Sequence, residues 1–327
     1  MELVVEHTKW SLRPHTKELP EDKLRIQVML AGLCRTDIQN MEGLRPLHNR
    51  VIGHEATGIL CHIPQSLQEE AVGKFLRLGQ PVAFFPFLAC SMCQAQGIIE
   101  RCPHRLSLGT DFDGAFSPFV DVDISQVFVP PPSLSWQHLA FAEPVCASLA
   151  VCDIAECLNP TSSICVAGQG RIAQLTSLLL DLTRKEQNPQ ARSVIVLDPE
   201  LLPNDSFDVV VETSPHEHHL SSCCQALRSK GLLVVKSRPA WSVRYPHTDI
   251  VMRDLTLKGA SYTSFARTLK FMAKHKESLI PFFGQVFPWD EENIRCAISL
   301  EKKGEEAGKI FFNIGNLTPQ QLSSVAC

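Results

Sequence analysis

Apolar and polar positions follow two textures along this 327-residue chain. Up to about residue 130 the apolar residues come in short runs cut by turns: RIQVML from Arg25, VIGHEATGILCHI from Val51 and GQPVAFFPF from Gly79, with Gly or Pro between them. Such runs predict short strands in a β-rich, barrel-like domain. A Pro-rich hinge, VPPPSLS, follows at Val129, and from Trp136 to about Cys157 the chain carries few breakers besides Pro144 and suits helices. From Ser163 the texture changes to SICVAG, IAQLTSLLLDLTR, SVIVLD, FDVVVET, HLSSCCQALRS and GLLVVKS. Apolar strand runs alternating with helical segments predict a parallel, doubly wound sheet covered on both faces. A strand-like TLKGAS, a helical FARTLKFMAKHK and a closing strand KIFFNI complete the pattern, without an internal repeat or a low-complexity tract.

Composition narrows this picture. With 44% hydrophobic and 20% charged residues, the chain has material for a proper core, and its length suits two domains. A net charge of -4 without any block of Lys or Arg argues against nucleic acid as a partner. MELVVEHTKW places charges where a signal peptide needs an apolar core, and no apolar run approaches the roughly 20 residues of a membrane span, so a cytoplasmic protein with no membrane partner is expected. In that setting the 13 cysteines read as metal ligands or small core residues rather than disulfides.

Two constellations carry chemistry. In CVAGQGRIAQL, Gly168, Gly170 and Ala173 give G-x-G-x-x-A where an apolar strand meets a helix, with Arg171 and Ile172 inside the turn. The glycines let the backbone approach a pyrophosphate at the helix N-terminus, and Ala173 lets helix and strand pack. Asp198 ends the next strand, where a carboxylate holds the ribose hydroxyls and repels a 2′-phosphate, so NAD is expected over NADP. The bland alternative is a glycine turn that binds nothing. Further upstream, AGLCRTDIQ and VIGHEATG offer Cys34, Thr36, Asp37, His54 and Glu55. A thiolate, an imidazole and a carboxylate from separate turns are how a catalytic zinc is held with one place left open.

At these residues the sequence resembles the zinc-containing medium-chain alcohol dehydrogenase family, closest to its polyol and threonine dehydrogenase branch. GAFSPFV, FAEPVCASL, the GQGRIA turn, FDVVVET and GKIFFNI extend the likeness over nearly the whole chain. The resemblance implies an α/β fold: a GroES-like β-barrel catalytic domain from residues 1–147 and 265–327, and a doubly wound Rossmann cofactor domain over 148–264. It implies Cys34 and His54 as zinc ligands, with Glu55 or Glu143, the Glu of the E-P-V motif, as the third. Thr36 matches the hydroxyl that binds the reacting oxygen, Asp37 a support behind the metal, and Arg35 and Lys309 groups reaching the cofactor pyrophosphate. Gln39 stands where some relatives have a proton-relaying His. Cys90, Cys93 and Cys102 resemble a structural-zinc lobe, but Gln96 replaces its third cysteine and the last spacing is one residue short. His104 could fill the gap; the bland reading is three free thiols.

The remaining cysteines, at 61, 146, 152, 157, 165, 223, 224, 296 and 327, read as core residues, and Pro215-His216-Glu217-His218-His219 as a solvated helix start. The expectation is therefore an enzyme that needs Zn2+ and NAD and interconverts a secondary alcohol (a polyol, a sugar or cyclitol derivative, or a hydroxy amino acid) with its ketone. Family habit implies a homodimer or homotetramer. The rival is a non-catalytic NAD-binding scaffold or redox sensor that keeps the fold.

Overall fold

Leu24–Gly32 buries every residue but Gln27, because it is paired along both edges. Its neighbours are Glu55–His62 on one side and, on the other, Phe119–Val122 and Lys309–Asn313, all antiparallel. The computed structural model describes residues 1–47, 51–214, 216–239, 241–304, 308–322 and 324. Among these, the seven-stranded sheet built on Leu24–Gly32 continues through Pro81–Phe84 to Val127–Phe128, and beyond Lys309–Asn313 to Phe283–Pro288. Its core gathers Leu24, Ile26, Val28, Ile52, Leu60, Val82, Phe116 and Phe312, so the terminal strand seals the sheet begun by the first third of the chain. The helix Phe265–Lys274 buries Phe265, Thr268, Leu269 and Met272, one stripe at helical spacing, and Ser264 caps it by accepting the Arg267 amide.

Contacts divide the chain into two compact units, residues 1–143 with 264–327, and residues 144–263. The second unit holds five parallel strands in the order Ile195–Leu197, Ile164–Ala167, Phe207–Glu212, Leu227–Val235, Thr256–Gly259. Ile164–Ala167 is wholly buried, as a central strand covered on both faces must be. The sheet is of the doubly wound Rossmann kind, with the seventeen-residue helix Arg171–Gln187 after its first strand.

One local difference from the sequence pattern stands out. Leu227, Arg228 and Ser229, expected to end a helix, begin a strand instead; the helix stops at Ala226, and Lys230, at φ +65°, lets the strand bend before Gly231. The connection from Leu197 to Phe207 is short and holds only the 3-10 turn Pro199–Leu201, so Ile195–Leu197 is left as the edge of the sheet. Among the described residues no helix is long and apolar enough to cross a membrane.

Candidate metal centre

The helix Arg35–Met41 begins where Cys34 caps it. Cys34 is extended, its Sγ accepts the Thr36 amide at 3.5 Å, and Asp37 returns a carboxylate oxygen to the Cys34 amide at 2.9 Å, a reciprocal capping box with cysteine in the place usual for Ser or Thr. The cap fixes the sulfur at the helix start. The other oxygen of Asp37, which is fully buried, lies 3.2 Å from His54 Nδ1. That contact ties the Cys34 turn to the His54 turn and leaves Nε2 as the imidazole's ligand-capable nitrogen. Burial pushes the His54 pKa down, yet the Asp37 charge, with Cys34 adding to it, outweighs burial and holds the imidazole well above its ordinary value. The turn itself needs Gly53: its φ is +98°, and a Cβ there would stand 2.6 Å from the Phe116 ring.

Glu55 opens the strand Glu55–His62 directly opposite Gly32, and Gly32 is also the register partner of Phe311 on the far side. Lys309 and Glu55 thus flank Gly32 from two strands. Their side chains, 5% and 1% exposed, meet with Nζ 2.5 Å from Oε2. A Cβ on Gly32 would come 2.8 Å from Glu55 Oε2 and 3.5 Å from Lys309 Cδ, so the absent side chain makes the room for this ion pair. Burial raises the Glu55 pKa; Lys309 opposes that rise and the nearby charge of Glu143 adds to it.

One donor atom from each of Cys34, His54 and Glu55 lies within 4.8 Å of the other two. A soft thiolate, an imidazole and a carboxylate converging this closely fit a tetrahedral zinc with a place left open for substrate. Glu143, buried in the first turn of Ala142–Leu149, lies outside that trio, though near enough to act on Glu55. Thr36 is half-buried, two residues beyond the cap Cys34.

The two residues expected to reach a pyrophosphate make contacts within the first unit. Lys309 is 4% exposed and directs its ammonium at Glu55 and at the Leu33 carbonyl, 3.0 Å away. Arg35 is exposed, and its Nη1 donates to the carbonyls of Glu301 and Lys302, both at 3.3 Å, which caps the end of the helix Glu291–Lys303. Its charge complements that helix's C-terminal dipole. Gln39, at the relay position, accepts from Arg45 Nε at 2.6 Å.

Cys90, Cys93 and Cys102 form a second group with sulfurs within 4.8 Å of one another. The short helix Ser91–Ala95 carries Cys93 one turn past Cys90, and the turn Ile99–Arg101 brings Cys102 back. His104 and Gln96 are exposed, and His104 does not join the trio.

In the second unit, Gly168 has φ +154°, and a Cβ there would fall 2.1 Å from Thr213 Oγ1 and 3.2 Å from Ala173 Cβ. Ala173 is 1% exposed, whereas Ile172 beside it is 39% exposed and Arg171 half-buried. Gly170 starts the helix Arg171–Gln187, and within 4 Å of its Cβ position there is nothing. Asp198 follows the edge strand, accepts the Glu200 amide at 3.0 Å and is hydrogen-bonded by Gln169 Nε2, so the strand tip is tied to the glycine turn. Near it lie histidines of the run read as a solvated helix start. Ser214 Oγ lies 2.7 Å from His219 Nδ1, the His216 and His219 rings are 5.1 Å apart, and burial with His216 holds the His219 pKa below its ordinary value, although Glu200 and Asp198 pull it up. Among the described residues these histidines form no metal-holding group. Pro215 and Cys327 lie outside the described residues.

Residues 20–132 match the family model described as the alcohol dehydrogenase GroES-like domain. Over 295 residues the chain is 23% identical to L-galactonate-5-dehydrogenase of Escherichia coli K12, covering 80% of this chain and 84% of that one. It is 28% identical over 184 residues to sorbitol dehydrogenase of Bacillus subtilis 168, about half of each chain, at 53% and 50%. The crystal structure of 2R,3R-butanediol dehydrogenase from Bacillus subtilis superposes with a TM-score of 0.79 at 20% identity, over 95% of this chain and 99% of the other.

Proposed function

We propose that the chain is a zinc-containing medium-chain alcohol dehydrogenase that transfers a hydride between a secondary alcohol and NAD, with a polyol or sugar-derived alcohol as the substrate class. The observation that carries this reading is the convergence of Cys34, His54 and Glu55 on one point, with Asp37 bracing two of the three from behind. Zinc bound there supplies a Lewis acid that lowers the pKa of the substrate hydroxyl.

The protein residues divide the remaining work. Cys34 and His54 hold the metal from two turns, and Asp37 fixes the tautomer and angle of the imidazole. Glu55 is the third donor: with Oε2 turned to Lys309, its other oxygen remains for the metal. Glu143 places a second negative charge near Glu55 and tunes the site. Thr36 would hydrogen-bond the reacting hydroxyl and relay its proton, taking it on the threonine oxygen while its own hydroxyl proton passes to solvent. In the second unit the Gly168–Gly170 turn takes the pyrophosphate, and Asp198 takes the adenosine ribose hydroxyls and disfavours the 2′-phosphate of NADP.

The test is a screen of secondary alcohols and ketones with NAD, NADH and NADP on protein of measured zinc content. Turnover on a polyol-type alcohol, preferring NAD and lost on chelation, supports the reading. A zinc-free chain that binds NAD but turns over none of these compounds would make it the non-catalytic scaffold.

A further inference from the structure

The lobe around Cys90 holds three sulfurs that the proposed reaction does not use. A closed structural zinc takes four protein donors. Here the exposed Gln96 stands in the place of one cysteine, His104 is not among the converging atoms, and the donor set therefore does not fit a closed site. The geometry fits another chemistry. Cys90 and Cys102 have their sulfurs 3.7 Å apart, and the Cys90 amide donates to Cys102 Sγ at 3.4 Å, which keeps the two side chains facing each other. Cys102 is 2% exposed, within a small core of Ala89, Cys93 and Ile99, while Cys90 at its rim is half-buried and so open to a small reagent.

We propose that Cys90 and Cys102 are a site of oxidative modification, where a hydroperoxide converts them into an intramolecular disulfide. The Cys90 sulfur attacks the peroxide bond: an S–O bond forms, the O–O bond breaks, the alcohol leaves with a proton, and Cys90 becomes a sulfenic acid. Cys102 then attacks the Cys90 sulfur, the S–S bond forms, and the S–O bond breaks to release water with the Cys102 proton. Two thiols lose two electrons in total, and the hydroperoxide is reduced to alcohol and water. Cys93 keeps its thiol throughout.

The experiment treats the full chain with tert-butyl hydroperoxide, alkylates the remaining thiols and maps peptides without reduction, with zinc content measured before and after. One disulfide joining the Cys90 and Cys102 peptides is expected, with two thiols lost from the lobe. It should be absent from Cys90→Ser and Cys102→Ser and present in Cys93→Ser; should Cys102→Ser fail to fold, Cys90→Ser, altered at the lobe's rim, carries the same test. The proposal is overturned if both thiols stay alkylatable while the exposed Cys61 and Cys296 are oxidised. A disulfide through Cys93, or a second equivalent of zinc that stays on the chain and protects the lobe, overturns it as well.

Discussion

Lys309 Nζ and Glu55 Oε2 stand 2.5 Å apart over the bare Cα of Gly32, a contact between side chains from two strands that are not themselves paired. Removing one partner leaves the other charge buried without its counter-ion, which typically costs about 3–5 kcal/mol, whereas removing both does not. Lys309→Met is therefore expected to destabilise strongly, and adding Glu55→Gln should recover a large part of the loss. Urea unfolding of the two single variants and the double variant checks this; additive losses would show that the pair is not coupled.

The metal trio makes a second expectation. Cys34→Ser, His54→Ala and Glu55→Gln should each lose zinc to a chelator and with it turnover, while NAD binding persists. Glu143→Gln should keep its zinc and lose about 10- to 100-fold in activity or affinity, the usual cost of a supporting group. Zinc stoichiometry after dialysis decides between the two carboxylates: metal lost from the Glu143 variant and kept by the Glu55 variant would exchange their roles.

Much of this was legible from residue types in sequence. The strand runs, the glycine turn and the donor residues Cys34, His54 and Glu55, whose atoms converge, could be read because each rests on local rules: apolar runs between breakers, a G-x-G-x-x-A turn, donor side chains offered from turns. What could not be read was where long side chains end. Lys309 and Glu55 are 254 positions apart, and only strand pairing through Gly32 brings them together. Arg35 is adjacent to a ligand in sequence, yet it bonds the end of a helix that begins at Glu291. The choice between Glu55 and Glu143 was open for the same reason, since both are chemically suitable and only placement separates them.

Two glycines of the cofactor turn should respond differently to alanine. At Gly168 a methyl group collides with Thr213 Oγ1 in a backbone conformation that side chains rarely adopt, so Gly168→Ala should lower the unfolding midpoint. At Gly170 the methyl group meets no protein atom, and stability should stay within about 0.5 kcal/mol. A rise in the NAD dissociation constant for Gly170→Ala, measured by calorimetry, then reports on the cofactor alone; unchanged affinity would remove the pyrophosphate from that position.

Acid sensitivity should centre in part on His138. Burial holds its pKa below the ordinary value, and the neutral ring accepts from the Ser135 amide at Nδ1, 3.3 Å away, and donates from Nε2 to the Lys276 carbonyl at 3.0 Å. A depressed pKa means that the unfolded chain takes up a proton first. The stability that the neutral ring provides is complete above the unfolded value of about 6.5 and declines as pH falls from there toward the folded value. Unfolding midpoints between neutral pH and about pH 5 should fall more steeply for the wild type than for His138→Gln. Parallel curves would remove His138 from the explanation.

The short connection after Leu197 bears on how tightly a nucleotide is gripped. Asp198 follows a three-residue strand that is hydrogen-bonded along one side only, so the residue proposed to select the cofactor stands at an edge of its sheet. If that edge opens part of the time, the measured dissociation constant is the intrinsic one divided by the fraction in place. Cofactor affinity in this chain is then partly a folding equilibrium of three residues. A substitution that does no more than stiffen the edge would tighten binding without touching the ligand.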